Sequence, residues 1–161
     1  MHALAAAELE LGALRVEQLK TNNQQLQMND LRDLYQEIIL DHNRNPRNFK
    51  KLENPDREAE GYNPLCGDHY WFYVKLDGDK IVDVGFHGAG CAISKSSASV
   101  MTSLAKGTTK EEFEVVFQMF RSMITGESKF DEETLGKLAA FQGVCEHPSR
   151  VKCAVLSWHT L

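Results

Sequence analysis

The sequence predicts an α+β fold: a small antiparallel sheet of about three strands packed with an N-terminal helix and several C-terminal helices. Three observations carry that expectation. Two aromatic and β-branched runs, 70–76 (YWFYVKL) and 80–86 (KIVDVGF), flank Asp77-Gly78-Asp79, a hairpin signal. An amphipathic helical stripe precedes them, and a succession of helical segments follows them. With 161 residues, 42 % hydrophobic and 25 % charged, the chain is long and apolar enough for a core of its own, which excludes wholesale disorder and fibrous repeats.

Residues 1–27 are rich in Ala, Leu, Glu and Gln, good helix formers, and end in the polar stretch Thr21 to Gln27. They are expected to form an N-terminal extension, read as a loosely attached helix with an oligomerisation helix as the alternative. The domain proper is expected over 28–161. Leu31, Leu34, Tyr35, Ile38 and Ile39 recur with helical spacing, so a helix should start with Asn29 or Asp30 as its cap and end at Asn45-Pro46. The loop that follows carries Arg44, Arg47, Lys50 and Lys51, either a solvated loop or a docking patch for an acidic partner. Residues 57–62 would add a third strand. Cys91 to Lys106 reads as a small, serine-rich helix stopped by Gly107. Thr108 with Glu111 resembles a capping box for a helix through about Ile124. Asp131 to Phe141 and Ser149 to His159 read as two more helices, separated by Gly143 and Pro148.

Charge and hydropathy narrow the function classes. With 18 Lys+Arg against 23 Asp+Glu the net charge is −5, so no overall basic field points to nucleic acid or anionic lipid as a partner. No apolar run approaches the ~18 residues of a membrane span. The opening MHALAAAELELGALRVEQLK, with acids at Glu8, Glu10 and Glu17, matches neither a secretory signal nor a transit peptide, and the expected location is the cytoplasm.

In a reducing compartment the four cysteines, Cys66, Cys91, Cys145 and Cys153, point to metal, catalysis or plain burial rather than to disulfides. Cys66 sits in the turn-rich Asn63-Pro64-Leu65-Cys66-Gly67-Asp68, where Asp68 brings a carboxylate to the same centre. Cys91 follows Gly88-Ala89-Gly90 at a strand-to-helix junction, where a helix N-terminus suits a negatively charged ligand. Cys153 lies near the start of the final helix. Three thiolates and a carboxylate would make a four-coordinate set favouring zinc or an iron–sulfur centre, and nearby cations or backbone amides would have to offset its charge. On spacing alone, a metal site and buried structural cysteines both stand.

Three segments in order, NPLCGD, GAGCAISKSSAS and PSRVKCAVLSW, resemble the cysteine motifs of the NifU/IscU superfamily, most of all its SufU branch. The resemblance includes LYQEIILDHNRNPRNF and runs from Met28 to the C-terminus, about five-sixths of the chain. IscU-like chains carry a His directly before the third cysteine and a Leu-Pro-Pro-Val-Lys motif nearby; here the positions read Lys152 and Pro148-Ser149-Arg150-Val151-Lys152. The long Cys91–Cys153 segment also matches the insertion typical of SufU-like chains.

What the resemblance implies is specific. It implies zinc held by Cys66, Asp68, Cys91 and Cys153, and Cys66 as acceptor of persulfide sulfur from a SufS-type cysteine desulfurase. The sulfur would then pass to downstream iron–sulfur assembly proteins, by a sulfurtransferase-like acceptor rather than an enzyme turning over by itself. For the wider superfamily it implies instead a scaffold on which Cys66, Cys91 and Cys153 hold a transient 2Fe–2S cluster.

Other candidates fall outside that set. Cys145 and His147 have ligand-like spacing, but Cys145 is read as incidental. His69 and His87 are read as surface or edge-strand histidines. Lys95 and the serines 94, 96, 97 and 99 are read first as allowing close helix packing, and second as partner or site contacts.

Overall fold

The computed structural model describes residues 2–127 and 132–161. In order, the elements are α1 (His2–Arg44), β1 (Arg57–Asn63), β2 (Asp68–Asp77), β3 (Lys80–Ala89), α2 (Ala92–Ala105), α3 (Lys110–Thr125), α4 (Glu132–Leu135), a 3₁₀ segment (Gly136–Glu146) and α5 (Pro148–Thr160). The chain divides into two compact units, Met1–Leu34 and Tyr35–Leu161. No described helix is long and apolar enough to cross a membrane.

The described part of the first unit is helical, and α1 runs through Asn29 and Asp30 instead of starting there. The expected cap does not form because nothing between Thr21 and Met28 breaks a helix. Its polar side chains serve the helix instead: Thr21 Oγ1 donates to the Glu17 carbonyl at 3.0 Å, and Gln25 Nε2 to Asn29 Oδ1 at 3.3 Å. Leu34 is 51 % exposed, so the expected apolar stripe is not buried along its full length.

In the second unit the sheet order is β1-β2-β3, antiparallel throughout. The β2–β3 hairpin turns on Gly78, whose φ of 58° needs no Cβ penalty. Alternation along β2 and β3 sends Tyr70, Phe72, Val84 and Phe86 into the core. Trp158 of α5 completes it, stacked on Phe113, Phe117 and Phe120 of α3. Burying aromatic side chains of this size contributes on the order of 2–3 kcal/mol each. Tyr35, Ile38 and Ile39 of α1 pack against the same core.

Three further expectations are corrected. The capping box of α3 is Thr109 with Glu112, one residue later than expected; Thr108 N–H instead bonds the Ala105 carbonyl, in the turn that leaves α2. The helix expected over Asp131–Phe141 is α-helical only at Glu132–Leu135 and continues as the 3₁₀ segment, which passes through Gly143; Asp131 lies outside the described residues. The break comes at His147, whose φ of −128° and ψ of 83° are non-helical, because proline disfavours helical geometry in the residue ahead of it and suits the first position of α5.

The basic loop has partners within the chain. Arg47 pairs with Asp41 at 2.6 Å, Lys50 with Asp83 at 2.9 Å, and Lys51 lies over the Tyr73 ring. Three of its four cations are thus engaged, which favours the solvated-loop reading.

Candidate metal centre

The β1–β2 connection is a tight turn. Asn63 pairs with Asp68 across the two strands, and Pro64-Leu65-Cys66-Gly67 closes the loop between them. Gly67 at φ 72° makes the turn possible, and its N–H bonds the Asn63 carbonyl at 2.8 Å. The Cys66 thiol is therefore exposed at one end of the sheet, while Asp68, the first residue of β2, points inward and is fully buried.

The final helix approaches the same point. Cys153, on the first half of α5, is fully buried, and its Sγ lies 3.1 Å from Cys66 Sγ and 3.9 Å from Asn63 Nδ2. Ligand atoms of Cys66, Asp68 and Cys153 all lie within 4.8 Å of one another. For tetrahedral zinc with ~2.3 Å bonds to sulfur, ligand sulfurs would sit about 3.8 Å apart, so this trio is on the right scale.

Cys91 reaches the site by its backbone. Its N–H donates to Asp68 Oδ1 at 2.8 Å, supplying the amide that a charged centre needs. Its sulfur caps α2, accepting from Ser94 N–H at 3.4 Å, and is not part of the 4.8 Å trio. Gly90 makes the approach possible: an added Cβ would lie 2.7 Å from Asp68 Oδ1 and 2.5 Å from the Tyr70 hydroxyl.

The other carboxylate oxygen, Asp68 Oδ2, is buried and has no hydrogen-bond partner among the described residues. A buried carboxylate oxygen without a partner costs on the order of 1–3 kcal/mol or more, and folds leave few of them without a reason. A carboxylate of this kind, grouped with two thiols, fits a cation with a mixed sulfur and oxygen donor set. The residues present therefore suit zinc, with Cys66, Asp68 and Cys153 as the ready donors.

Electrostatics around the trio agree. Burial raises the Cys153 thiol above its ordinary range, and the adjacent Cys66 thiol and the Asp68 carboxyl push it further the same way. Burial likewise lifts Tyr70 to about 12, its hydroxyl lying 3.2 Å from Ser94 Oγ. The Ser94 hydroxyl in turn donates to the Cys91 carbonyl at 3.0 Å. Arg150 supplies the offsetting cation, its pKa raised by a hydrogen bond to Cys153 and by the charges of Cys91, Cys153 and Cys66.

Asn63, Tyr70 and Arg150 are residues that sequence reasoning did not assign to the site, while Ser94 fits the second reading given to the serines. Spacing held the signal: Tyr70 is two residues from Asp68 on one strand face, and Arg150 and Ser94 lie three positions from Cys153 and Cys91 on their helices.

The remaining candidates lie elsewhere. Cys145 and His147 are exposed and join no metal-binding group among the described residues. His69 is on the central strand, not an edge, and pairs with Glu60 at 2.5 Å; His87, on edge strand β3, accepts or donates to the Tyr73 hydroxyl at 3.1 Å. The serines are structural apart from Ser94. Ser97 Oγ donates to the Ala154 carbonyl at 2.6 Å and takes the Trp158 indole N–H, and Ser96 bonds back to its own helix. Lys95 lies over the Phe49 ring.

Known proteins with this arrangement are numerous. Residues 34–154 match the NifU-like N terminal domain family. The chain is 42 % identical over 132 residues to the zinc-dependent sulfurtransferase SufU of Bacillus subtilis, covering 82 % of this chain and 89 % of that protein. It is 35 % identical over 134 residues to the iron–sulfur cluster assembly scaffold protein IscU of Streptococcus pyogenes, covering 83 % and 84 %. Among solved structures, a SufU from Fervidobacterium islandicum, assigned as an assembly scaffold for the SUF system, superposes with a TM-score of 0.73 at 42 % identity, covering 77 % of this chain and 90 % of that one. The expected α+β fold and the motif resemblance thus hold together, and the chain belongs to the NifU-like N-terminal domain family, in its SufU/IscU group.

Proposed function

We infer that this chain acts in iron–sulfur cluster assembly, and propose that it is a zinc-holding acceptor of sulfur from a SufS-type cysteine desulfurase. One observation carries the proposal: an exposed Cys66 thiol is grouped with buried Cys153 and buried Asp68, one of whose oxygens has no partner among the described residues. Zinc, when bound, holds its cysteine ligands as thiolates and shields them from oxidation. Cys91 completes the donor set on this reading, by turning its sulfur from the α2 cap toward the trio.

The transfer itself is a thiol–disulfide exchange. The Cys66 thiolate attacks the terminal sulfur of the donor's persulfide; the new S–S bond forms on Cys66, the donor's S–S bond breaks, and the donor cysteine leaves as a thiolate. No external oxidant or reductant is needed. The buried positions of Asp68 and Cys153 make them holders of the centre, while exposed Cys66 is the one the donor reaches. Arg150, whose pKa the three cysteines raise, supplies positive charge that offsets what the exchange moves among them.

The scaffold reading has its own support in the IscU relative, since the same cysteines suit a 2Fe–2S cluster. Lys152, in place of a fourth ligand-capable side chain beside Cys153, favours the acceptor. The test is to trap persulfide by mass spectrometry after incubation with the desulfurase and cysteine. Wild type and Cys145→Ala should carry sulfur on Cys66, and Cys66→Ala should carry none and give no stimulation of the desulfurase. Full transfer to Cys66→Ala, or its loss in Cys145→Ala, would mean a different acceptor. Normal desulfurase turnover in every variant would move the scaffold ahead.

A further inference from the structure

A groove of about 470 Å³ runs alongside the metal centre without being part of it. Ile39 and Leu40 of α1, Ile93 of α2 and Val144 of the 3₁₀ segment form its apolar walls. Its polar end holds Arg150 and His147. Two of these residues tie it to the chemistry. Ile93 is two positions beyond Cys91 on α2, and Arg150 lies three positions before Cys153 on α5. No carboxylate lines the groove, although the chain as a whole carries −5, and the neighbouring Glu37 and Glu146 are not part of its lining.

A concave apolar surface beside the cysteine centre, with a guanidinium at its polar end, selects a particular occupant. Its apolar side chains fill the walls and its carboxylate meets Arg150. We propose that this groove receives an acidic–apolar segment of the protein that delivers sulfur, docking the donor so that its persulfide meets Cys66. The proposal rests on the sulfur-acceptor reading above. Apolar filling supplies most of the affinity; the charge contact sets register and discriminates against basic segments.

Gly143 allows a clean test. It lines the groove, and a Cβ built there meets nothing within 4 Å. A side chain added at Gly143 therefore starts from open space on the groove's lining. The experiment uses the zinc-loaded full-length protein and the SufS-type desulfurase of the same organism. It measures the Kd of the pair and the rate of Cys66 persulfide formation. Sulfuration of Cys66 by inorganic polysulfide, which needs no docked protein, is the internal reference.

Gly143→Trp should raise Kd at least tenfold and lower the ratio of desulfurase-driven to polysulfide-driven sulfuration by a similar factor. Gly143→Glu and Gly143→Gln match in size and differ in charge. The Glu variant should bind at least threefold more weakly, and the gap should close as salt rises. Wild-type binding and rate in Gly143→Trp would overturn the docking proposal alone. Equal affinities of the Glu and Gln variants would overturn the acidic occupant, and this pair decides the matter if the Trp variant fails to fold. A wild-type protein that neither binds the desulfurase nor takes its sulfur would overturn the acceptor reading as well.

Discussion

The sheet has two tight turns at its opposite ends, and they solve the same backbone problem for different ends. Each relies on a glycine with positive φ, 72° at Gly67 and 58° at Gly78, and neither glycine has anything within 4 Å of where a Cβ would stand. The Asp77-Gly78-Asp79 turn keeps its carboxylates in water. The Asn63–Asp68 turn does the reverse, placing Asp68 fully inside with one oxygen unpaired and pressing two sulfurs to 3.1 Å. The first turn only reverses the chain. The second gives up local stability, and the surrounding fold, through α5 and the Gly90–Cys91 backbone, keeps it in shape. That contrast identifies a functional turn more firmly than its residue types do.

The largest expected effect breaks the contrast at Asp68. Asp68→Ala should weaken zinc retention by 10-fold or more, since it removes a ready donor, while leaving persulfide formation on Cys66 detectable. Stability should respond with opposite signs in the two metal states. In zinc-loaded protein Asp68→Asn lowers the thermal midpoint, because it weakens zinc binding, which adds to the stability of the native state. In chelator-stripped protein, Asp68→Asn should raise the midpoint by several °C, because it removes a buried charge that has an unpaired oxygen and keeps a polar group for the Cys91 amide. Differential scanning calorimetry of both proteins with and without chelator reads this directly. A stripped Asp68→Asn protein less stable than stripped wild type would mean the carboxylate is well satisfied without metal.

A second expectation separates the site's acid response from the rest of the fold's. His42 is buried, and its ring Nδ1 lies 2.7 Å from Ser99 Oγ. Ser99 Oγ also accepts the Arg47 N–H at 2.8 Å, and which partner donates in the His42–Ser99 bond is set by the imidazole tautomer. Burial, then the positive charges of Arg47 and Lys137, lower the His42 pKa to about 4 from 6.5. Above pH 6.5 both folded and unfolded chains hold it neutral and nothing is lost. As pH falls from 6.5 towards 4 the unfolded chain takes up a proton that the folded one refuses, so stability declines. His42→Gln should flatten the stability slope across that window, measured by urea titration at several pH values. An unchanged slope would assign the acid sensitivity to other groups.

Legibility in the sequence followed how local each signal is. The β2–β3 hairpin was readable because Asp-Gly flanked by alternating residues is a complete local instruction, and α2 because Gly107 and its small residues mark its limits. The α1 start was misread because Thr, Asn and Gln suit caps and helix interiors alike, and only tertiary context chooses. The cysteine centre was a different case. Its members are brought together by the sheet register and by α5, so composition left metal and burial level, and motif resemblance tipped the balance. The orphaned Asp68 oxygen is a fact of three-dimensional packing, and no spacing rule would have ranked it.

The smallest expected effect sharpens the comparison of the turns themselves. Gly67→Ala and Gly78→Ala each force a Cβ into left-handed backbone, where an L-residue costs roughly 1–2 kcal/mol relative to glycine, and neither meets a steric obstacle. In chelator-stripped protein the two should therefore lower stability by similar amounts, about 1 kcal/mol or a few °C for a chain of this size. With zinc they should part. The Gly78 turn touches no ligand, so its variant keeps the full zinc increment. Gly67 sits between Cys66 and Asp68, and any backbone shift that relieves its strain moves one donor against the other, so its variant should release zinc faster to a competing chelator. Gly67→Asn should lie between glycine and alanine, because asparagine tolerates left-handed backbone better. Equal zinc release from the Ala variants at 67 and 78 would mean that the donors hold their geometry independently of the turn, and that α5 and the Gly90–Cys91 backbone carry the site without it.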